Sequence, residues 1–128
     1  MTPEELKGNI LIGLYLGMEH VNDCPEEYPN GYYIPGKTEL DIDYTPDGWS
    51  FHESMDWLYP VYQEIIQFAD SDNPMFNKLD TYCRALILSQ QQEIRDALIE
   101  GKNVSELFKE IVEWIKIYNE KVLEDDKT

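Results

Sequence analysis

The sequence predicts an α+β fold, a small antiparallel sheet packed with about four helices in one compact domain spanning residues 1–128. Three observations predict it. Helix-start patterns stand near both ends, a segment with strict two-residue alternation lies between them, and the chain is long and apolar enough to bury a core without metal or disulfide staples. It has 128 residues, 42% hydrophobic, with 9 Tyr, 3 Trp and 4 Phe, a composition that argues against disorder despite the charge.

Thr2-Pro3-Glu4-Glu5 opens the first helix. Thr2 is suited to cap, Pro3 to the first helical position and Glu5 to complete a capping box. The helix is expected to reach about Gly17 and to bury Leu6, Ile10 and Leu14, while Gly13 and Gly17, four apart, admit a close neighbour. Residues 20–37 carry three prolines and two glycines and read as loop, with a short strand at Tyr32 to Ile34. From Thr38 the period changes. Leu40, Ile42 and Tyr44 alternate with Glu39, Asp41 and Asp43, the rhythm of a half-buried strand. Thr45-Pro46-Asp47-Gly48 supplies turn residues, and Trp49 to Phe51 is expected to return as the second strand of a hairpin.

A helix from about Met55 to Phe68 follows, with Trp57, Val61, Ile65 and Phe68 on one stripe. Pro60 has no N–H and fits only in or near the first turn or at a kink. Beyond Asp70-Ser71-Asp72-Asn73-Pro74 two readings stay open. One long helix gathers Leu79, Cys83, Leu86, Gln90, Ile94 and Ala97. The preferred alternative is a strand near Tyr82 to Leu88, then a helix capped by Ser89 and answered by Gln92. Gly101 ends that helix, and Asn103-Val104-Ser105-Glu106 opens the last one with a further capping box. Leu107, Ile111, Trp114, Ile115, Tyr118 and Val122 give this last helix its apolar positions, and the tail 125–128 is expected to fray.

Candidate chemistry is sparse. His52 and Asp56 would share a helical face and suit a metal, but a cap at Ser54 or Asp56 leaves His52 outside the helix as a solvent-facing histidine, and one imidazole with one carboxylate is an incomplete site. His20, Asp23 and Cys24 lie close together, without the second thiolate or imidazole of a zinc site. No glycine-rich phosphate loop or G-x-S-x-G is present. These absences predict no catalytic residues, no metal and no cofactor. Cys24 and Cys83 are too few for a disulfide framework. Tyr28, Tyr32 and Tyr33 sit beside Glu26 and Glu27, which favours a core lid or a protein contact over base stacking.

Charge is the outlier. Twenty-six acids against ten Lys and Arg give −16 at pH 7, which repels nucleic acid and anionic membranes and favours a basic protein partner. The apolar stretch from Ile10 to Met18 falls short of the roughly 20 residues that span a bilayer. Acids also stand near the start, where a signal peptide would carry basic residues, so a cytoplasmic location in a bacterial host cell is expected. On the alternating segment Glu39, Asp41 and Asp43 repeat about every 6.6 Å, comparable to phosphates along a nucleic-acid strand. With Asp47, and with Glu106, Glu110 and Glu113 on the last helix, they are the expected partner-binding surface. Glu120 and Glu124 continue that side, and Lys109 and Lys116 dilute it.

Two blocks carry a resemblance. Asp56-Trp57-Leu58-Tyr59-Pro60-Val61 is similar to a W-D-W-L-M-P-V-like block, with Met55 where tryptophan is common and Tyr59 in place of methionine. Ile111-Val112-Glu113-Trp114-Ile115-Lys116-Ile117-Tyr118-Asn119 is similar to a terminal F-I-x-W-Y-N-like block. Together they resemble short uncharacterised phage, prophage and Bacteroidetes-type proteins. The resemblance covers about a third of the chain and implies a small α+β domain with a core built on Trp57, Pro60, Val61, Trp114 and Tyr118. It carries over no catalytic residues.

Charge and resemblance together suggest a phage or prophage inhibitor of a host defence nuclease, most specifically a CRISPR-Cas effector, working as an anti-CRISPR-type nucleic-acid mimic. Two other classes stay open: a small-molecule-binding or metal-dependent hydrolytic phage protein using the His20 loop and His52, and an acidic structural or regulatory subunit.

Overall fold

The computed structural model describes residues 2–20, 33–34, 45–69, 72–101 and 103–123. Among these the architecture is helical: α1 (Pro3–Tyr15), α2 (Met55–Phe68), the short α3 (Pro74–Asn77), α4 (Thr81–Ile99) and α5 (Val104–Tyr118), with a π-helical turn over Asn119–Leu123. The β-structure is confined to a two-residue antiparallel ladder, β1 (Glu19–His20) with β2 (Tyr33–Ile34), pairing Glu19 with Ile34 and His20 with Tyr33. This overturns the expected α+β class, because two residues per strand make no layer against which helices pack.

The hairpin is corrected with it. Its proposed first strand, Thr38 to Tyr44, lies outside the described residues, as does the tail 125–128. Its proposed return is not a strand. Pro46–Gly48 forms a 3-10 turn, and Ser50 carbonyl then accepts the Glu53 and Ser54 amides at 3.1 and 3.0 Å. Trp49 and Phe51 are 1% and 0% exposed. Their alternation reflects two aromatic anchors tucked under a turn, and β-pairing has no part in it.

Local signals set the helix ends. Thr2 Oγ1 accepts the Glu5 amide at 3.1 Å, and Glu5 Oε1 accepts the Thr2 amide at 2.8 Å, a closed capping box. At the far end Gly17 adopts φ +97°, the left-handed region. The Met18 amide then reaches Gly13 carbonyl at 3.0 Å and the Gly17 amide reaches Leu14 carbonyl at 3.1 Å, a Schellman closure. Asn73 Oδ1 caps α3 through the Met75 amide at 2.9 Å, Asp80 Oδ1 caps α4 through Cys83 at 2.7 Å, and Asn103 Oδ1 caps α5 through Glu106 at 2.9 Å.

The Asp80 cap decides the ambiguous stretch. Tyr82 to Leu88 is the first half of α4, and the expected strand is absent. Aromatic and branched residues favour strands only weakly. A charged cap at Asp80, together with burial of Cys83, Ile87, Ile94 and Ala97 on one helical face, outweighs that preference.

α5 is the hub, packing against α1, α4 and α2. Its broad apolar face requires this: Leu107, Phe108, Ile111, Trp114 and Ile115 are all buried, more than one neighbouring helix would cover. α1 contributes a different face from the expected one. Gly8, Asn9, Ile12 and Gly13 are buried, whereas Leu14 is 45% exposed and Leu6 and Ile10 are half-buried. Backbone proximity selects that face. A methyl group at Gly8 would overlap the Phe108 ring, and one at Gly13 would lie 2.5 Å from Trp49 Cζ3. The close neighbour expected along Gly13 is thus Trp49, while Gly17 serves as the helix terminator.

The Asp80 cap also makes α4 sensitive to acid. Hydrogen bonding from Cys83 holds the Asp80 carboxyl below its ordinary value of 3.8. A carboxyl whose folded pKa is depressed stabilises the fold above the unfolded pKa, and that contribution is lost as pH falls through the folded value. Amide protection in the first turn of α4, relative to the intrinsic exchange rate at each pH, is therefore expected to fall below about pH 4. In Asp80→Asn, which caps without a titrating group, this dependence should vanish. Identical pH profiles for the two proteins would contradict the assignment.

Candidate functional site

The stretch before α2 places His52 in a polar niche. Phe51 turns inward, and His52 follows with its side chain 11% exposed. Asn9, fully buried on α1, sets its Nδ2 at 3.0 Å from His52 Nδ1 and 3.5 Å from the Trp49 carbonyl. An amide nitrogen only donates, so His52 Nδ1 accepts and the neutral ring carries its proton on Nε2. Nε2 lies 3.7 Å from Glu53 Oε2, and the ring meets Phe108 edge-on at 6.2 Å. The expectation of a solvent-facing histidine is corrected. His52 ties the turn ahead of α2 to α1 and α5, because a largely buried ring packed on Phe108 satisfies its nitrogen more readily from Asn9 than from water. Asn9 carried a signal in the sequence: one amide inside an otherwise apolar run.

This niche is a hydrogen-bonded lock between α1 and the turn ahead of α2. Asp56 is exposed at the start of α2, where Ser54 occupies the cap position without a side-chain hydrogen bond. Among the described residues no group of three or more His, Cys, Asp or Glu side chains is placed to hold a metal. His20 lies on β1, its ring 5.0 Å from that of Tyr33, while Asp23 and Cys24 lie outside the described residues. Tyr33 is 5% exposed and packs on Trp49 at 5.3 Å, whereas Tyr28 and Tyr32 lie outside the described residues.

The block residues fall into the core and its margin. Val61 and Trp114 are fully buried, and Trp57, Pro60 and Tyr118 are half-buried. Trp57 meets Phe51 edge-on at 5.0 Å. Pro60 sits inside α2 and leaves the Asp56 carbonyl without its usual helical donor. Trp114 stacks on Tyr118 at 5.5 Å, and Phe68 from α2 meets both rings. Tyr15 closes this cluster. Burial first, then neighbouring Tyr118 and Glu64, raise its hydroxyl well above the ordinary tyrosine range, so it stays protonated.

The acidic residues divide. Glu39, Asp41, Asp43 and Glu124 lie outside the described residues, and only the backbone of Asp47 is described, within the 3-10 turn. Glu106 and Glu113 are exposed on α5, seven residues and so about two turns apart. Glu110, between them, is half-buried. Gln90 Nε2 donates to its Oε2 at 2.8 Å and to its backbone carbonyl at 3.0 Å. This carboxylate is spent on the α4–α5 contact and is less available to a partner than its spacing implied. Glu120 lies 3.3 Å from Lys121 Nζ. Lys109 and Lys116 are exposed on the same helix.

What this surface offers chemically is a set of solvated carboxylates on packed helices. No helix among the described residues is long and apolar enough to cross a membrane. Comparison with protein families, curated proteins and solved structures finds no match to this chain.

Proposed function

We propose that this protein works by binding: it presents fixed carboxylates to a basic, nucleic-acid-binding protein and thereby inhibits it. The target class favoured by the charge and by the phage-type resemblance is a host defence nuclease, specifically an RNA-guided CRISPR-Cas effector whose guide and target channels are basic. The observation that supports this reading is the charge of −16, with Glu106 and Glu113 exposed on the best-anchored helix. Carboxylates held on a packed helix lose little entropy on meeting a partner, and their field speeds encounter with a positive groove.

The test is inhibition of guide-directed DNA cleavage by purified effector, with and without this protein. Inhibition is expected to rise with concentration, and its onset to slow as salt increases. Neutralising Glu39, Asp41, Asp43, Glu106 and Glu113 together is expected to weaken it by at least tenfold, as for loss of several interfacial charges. Full inhibition by the neutralised protein would remove mimicry from the account. Undisturbed cleavage across a panel of RNA-guided effectors would remove the target class.

A further inference from the structure

A second surface, distinct from the acidic one, lies on the outer side of α4. The chain has only two arginines, Arg84 and Arg95, and both are on this helix. At 100° per residue, Arg84, Leu88, Arg95 and Ile99 fall within about 60° of arc, along about 22 Å of helix. The buried face, with Cys83, Ile87, Ile94 and Ala97, is centred about 125° round the helix from this stripe. Leu88 is 46% exposed and Ile99 75%, Arg95 is exposed and Arg84 half-buried. Although Arg84 lies near enough to Asp80 to pull on its charge, neither guanidinium forms an ion pair among the described residues. In a chain with 26 acids, two arginines outside any ion pair among the described residues and interleaved with open aliphatic side chains form an unusual stripe.

We propose that this stripe docks an acidic amphipathic helix from another protein, whose carboxylates take Arg84 and Arg95 while its aliphatic side chains cover Leu88 and Ile99. Charge complementarity selects that occupant. Guanidinium groups pair with carboxylates in a forked geometry that lysine does not match, and their stems pack on aliphatic surface. A basic segment would meet the two guanidinium charges. A second copy of this chain, laid antiparallel on the same face, would set Arg84 of one copy within a turn of Arg95 of the other. A helix fits because the four positions repeat along a straight ridge at helical spacing, matching the ridge-to-groove packing of helix pairs.

The probe is a stapled helical peptide of about 18 residues, fluorescently labelled, with Leu on one stripe and Glu flanking it. Its control has every Glu replaced by Gln. Anisotropy is expected to show binding of the Glu peptide that is weakened about tenfold by Arg95→Glu, by Arg84→Glu or by Leu88→Ser. Glu106→Gln with Glu113→Gln should leave it unchanged. All these positions are at least partly solvent-facing, and an unaltered far-ultraviolet circular dichroism spectrum confirms that each variant is folded. Equal binding of the Glu and Gln peptides, no binding of the Glu peptide, or full binding by the Arg84→Glu/Arg95→Glu protein would overturn the proposal. So would a dimer in sedimentation that Leu88→Ser dissolves, since the occupant would then be a second copy.

Discussion

Trp114→Ala is expected to remove a large share of the stability of this protein, about 3–5 kcal/mol, by the range seen for buried aromatic truncations. Trp114 is 0% exposed, and its ring contacts Tyr15, Phe68 and Tyr118, so three elements lose their shared partner at once. Nothing nearby fills the space, because α5 is already packed against α1, α4 and α2. Small domains hold only about 5–15 kcal/mol in total, and urea denaturation should find the variant largely unfolded or with its midpoint far lower. Trp114→Phe separates volume from polarity. The indole Nε1 has no acceptor among the described residues, so this change loses area but no hydrogen bond, and about 1–2 kcal/mol is expected. A Trp114→Ala midpoint close to that of the parent would mean that the α1–α2–α5 junction is not where the fold is held.

The second large effect is expected from adding atoms. Gly13→Val is predicted to destabilise by about 3 kcal/mol or more, at the upper end for overpacked cores. Even a methyl group at Gly13 would stand 2.5 Å from Trp49 Cζ3 and 2.8 Å from Cη2. The indole has nowhere to swing, being 1% exposed and flanked by Tyr33 and Phe51. Helix propensity acts in the other direction, since any residue replacing glycine gains up to about 1 kcal/mol in a helix interior. The two terms give opposite signs, so the measurement decides which dominates. Thermal unfolding of Gly13→Ala and Gly13→Val should show a graded loss. A gain in either would mean that Trp49 yields easily and that the α1 contact is loose.

Several helix boundaries were readable because capping is a local event, although the start of α4 was expected at Ser89 and lies at Asp80. Thr2 with Glu5, Asn103 with Glu106, and Met55 to Phe68 for α2 all depend on residues within a turn or two of one another. The burial of α1 was not readable. Counting apolar side chains selected Leu6, Ile10 and Leu14, while the actual contact face runs through two glycines and an asparagine, whose value lies in the space they leave. The same limit applied to His52, whose niche depends on Asn9, 43 residues away in sequence. It applied again to Glu110, one of an evenly spaced acidic series until Gln90 of α4 engages it.

By itself the sequence determined the capped starts of α1 and α5 and how strongly acidic the molecule is, since these follow from neighbouring residues or from a sum over residues. Tertiary structure decided that Trp49 and Phe51 anchor a turn where strand pairing was expected and which carboxylates stay free, and its burial of one face joined the local Asp80 cap in turning Tyr82 to Leu88 as helix. In each of these the competing local preferences differ by about 1 kcal/mol or less. Burial of a single large side chain against a distant helix is worth more than that.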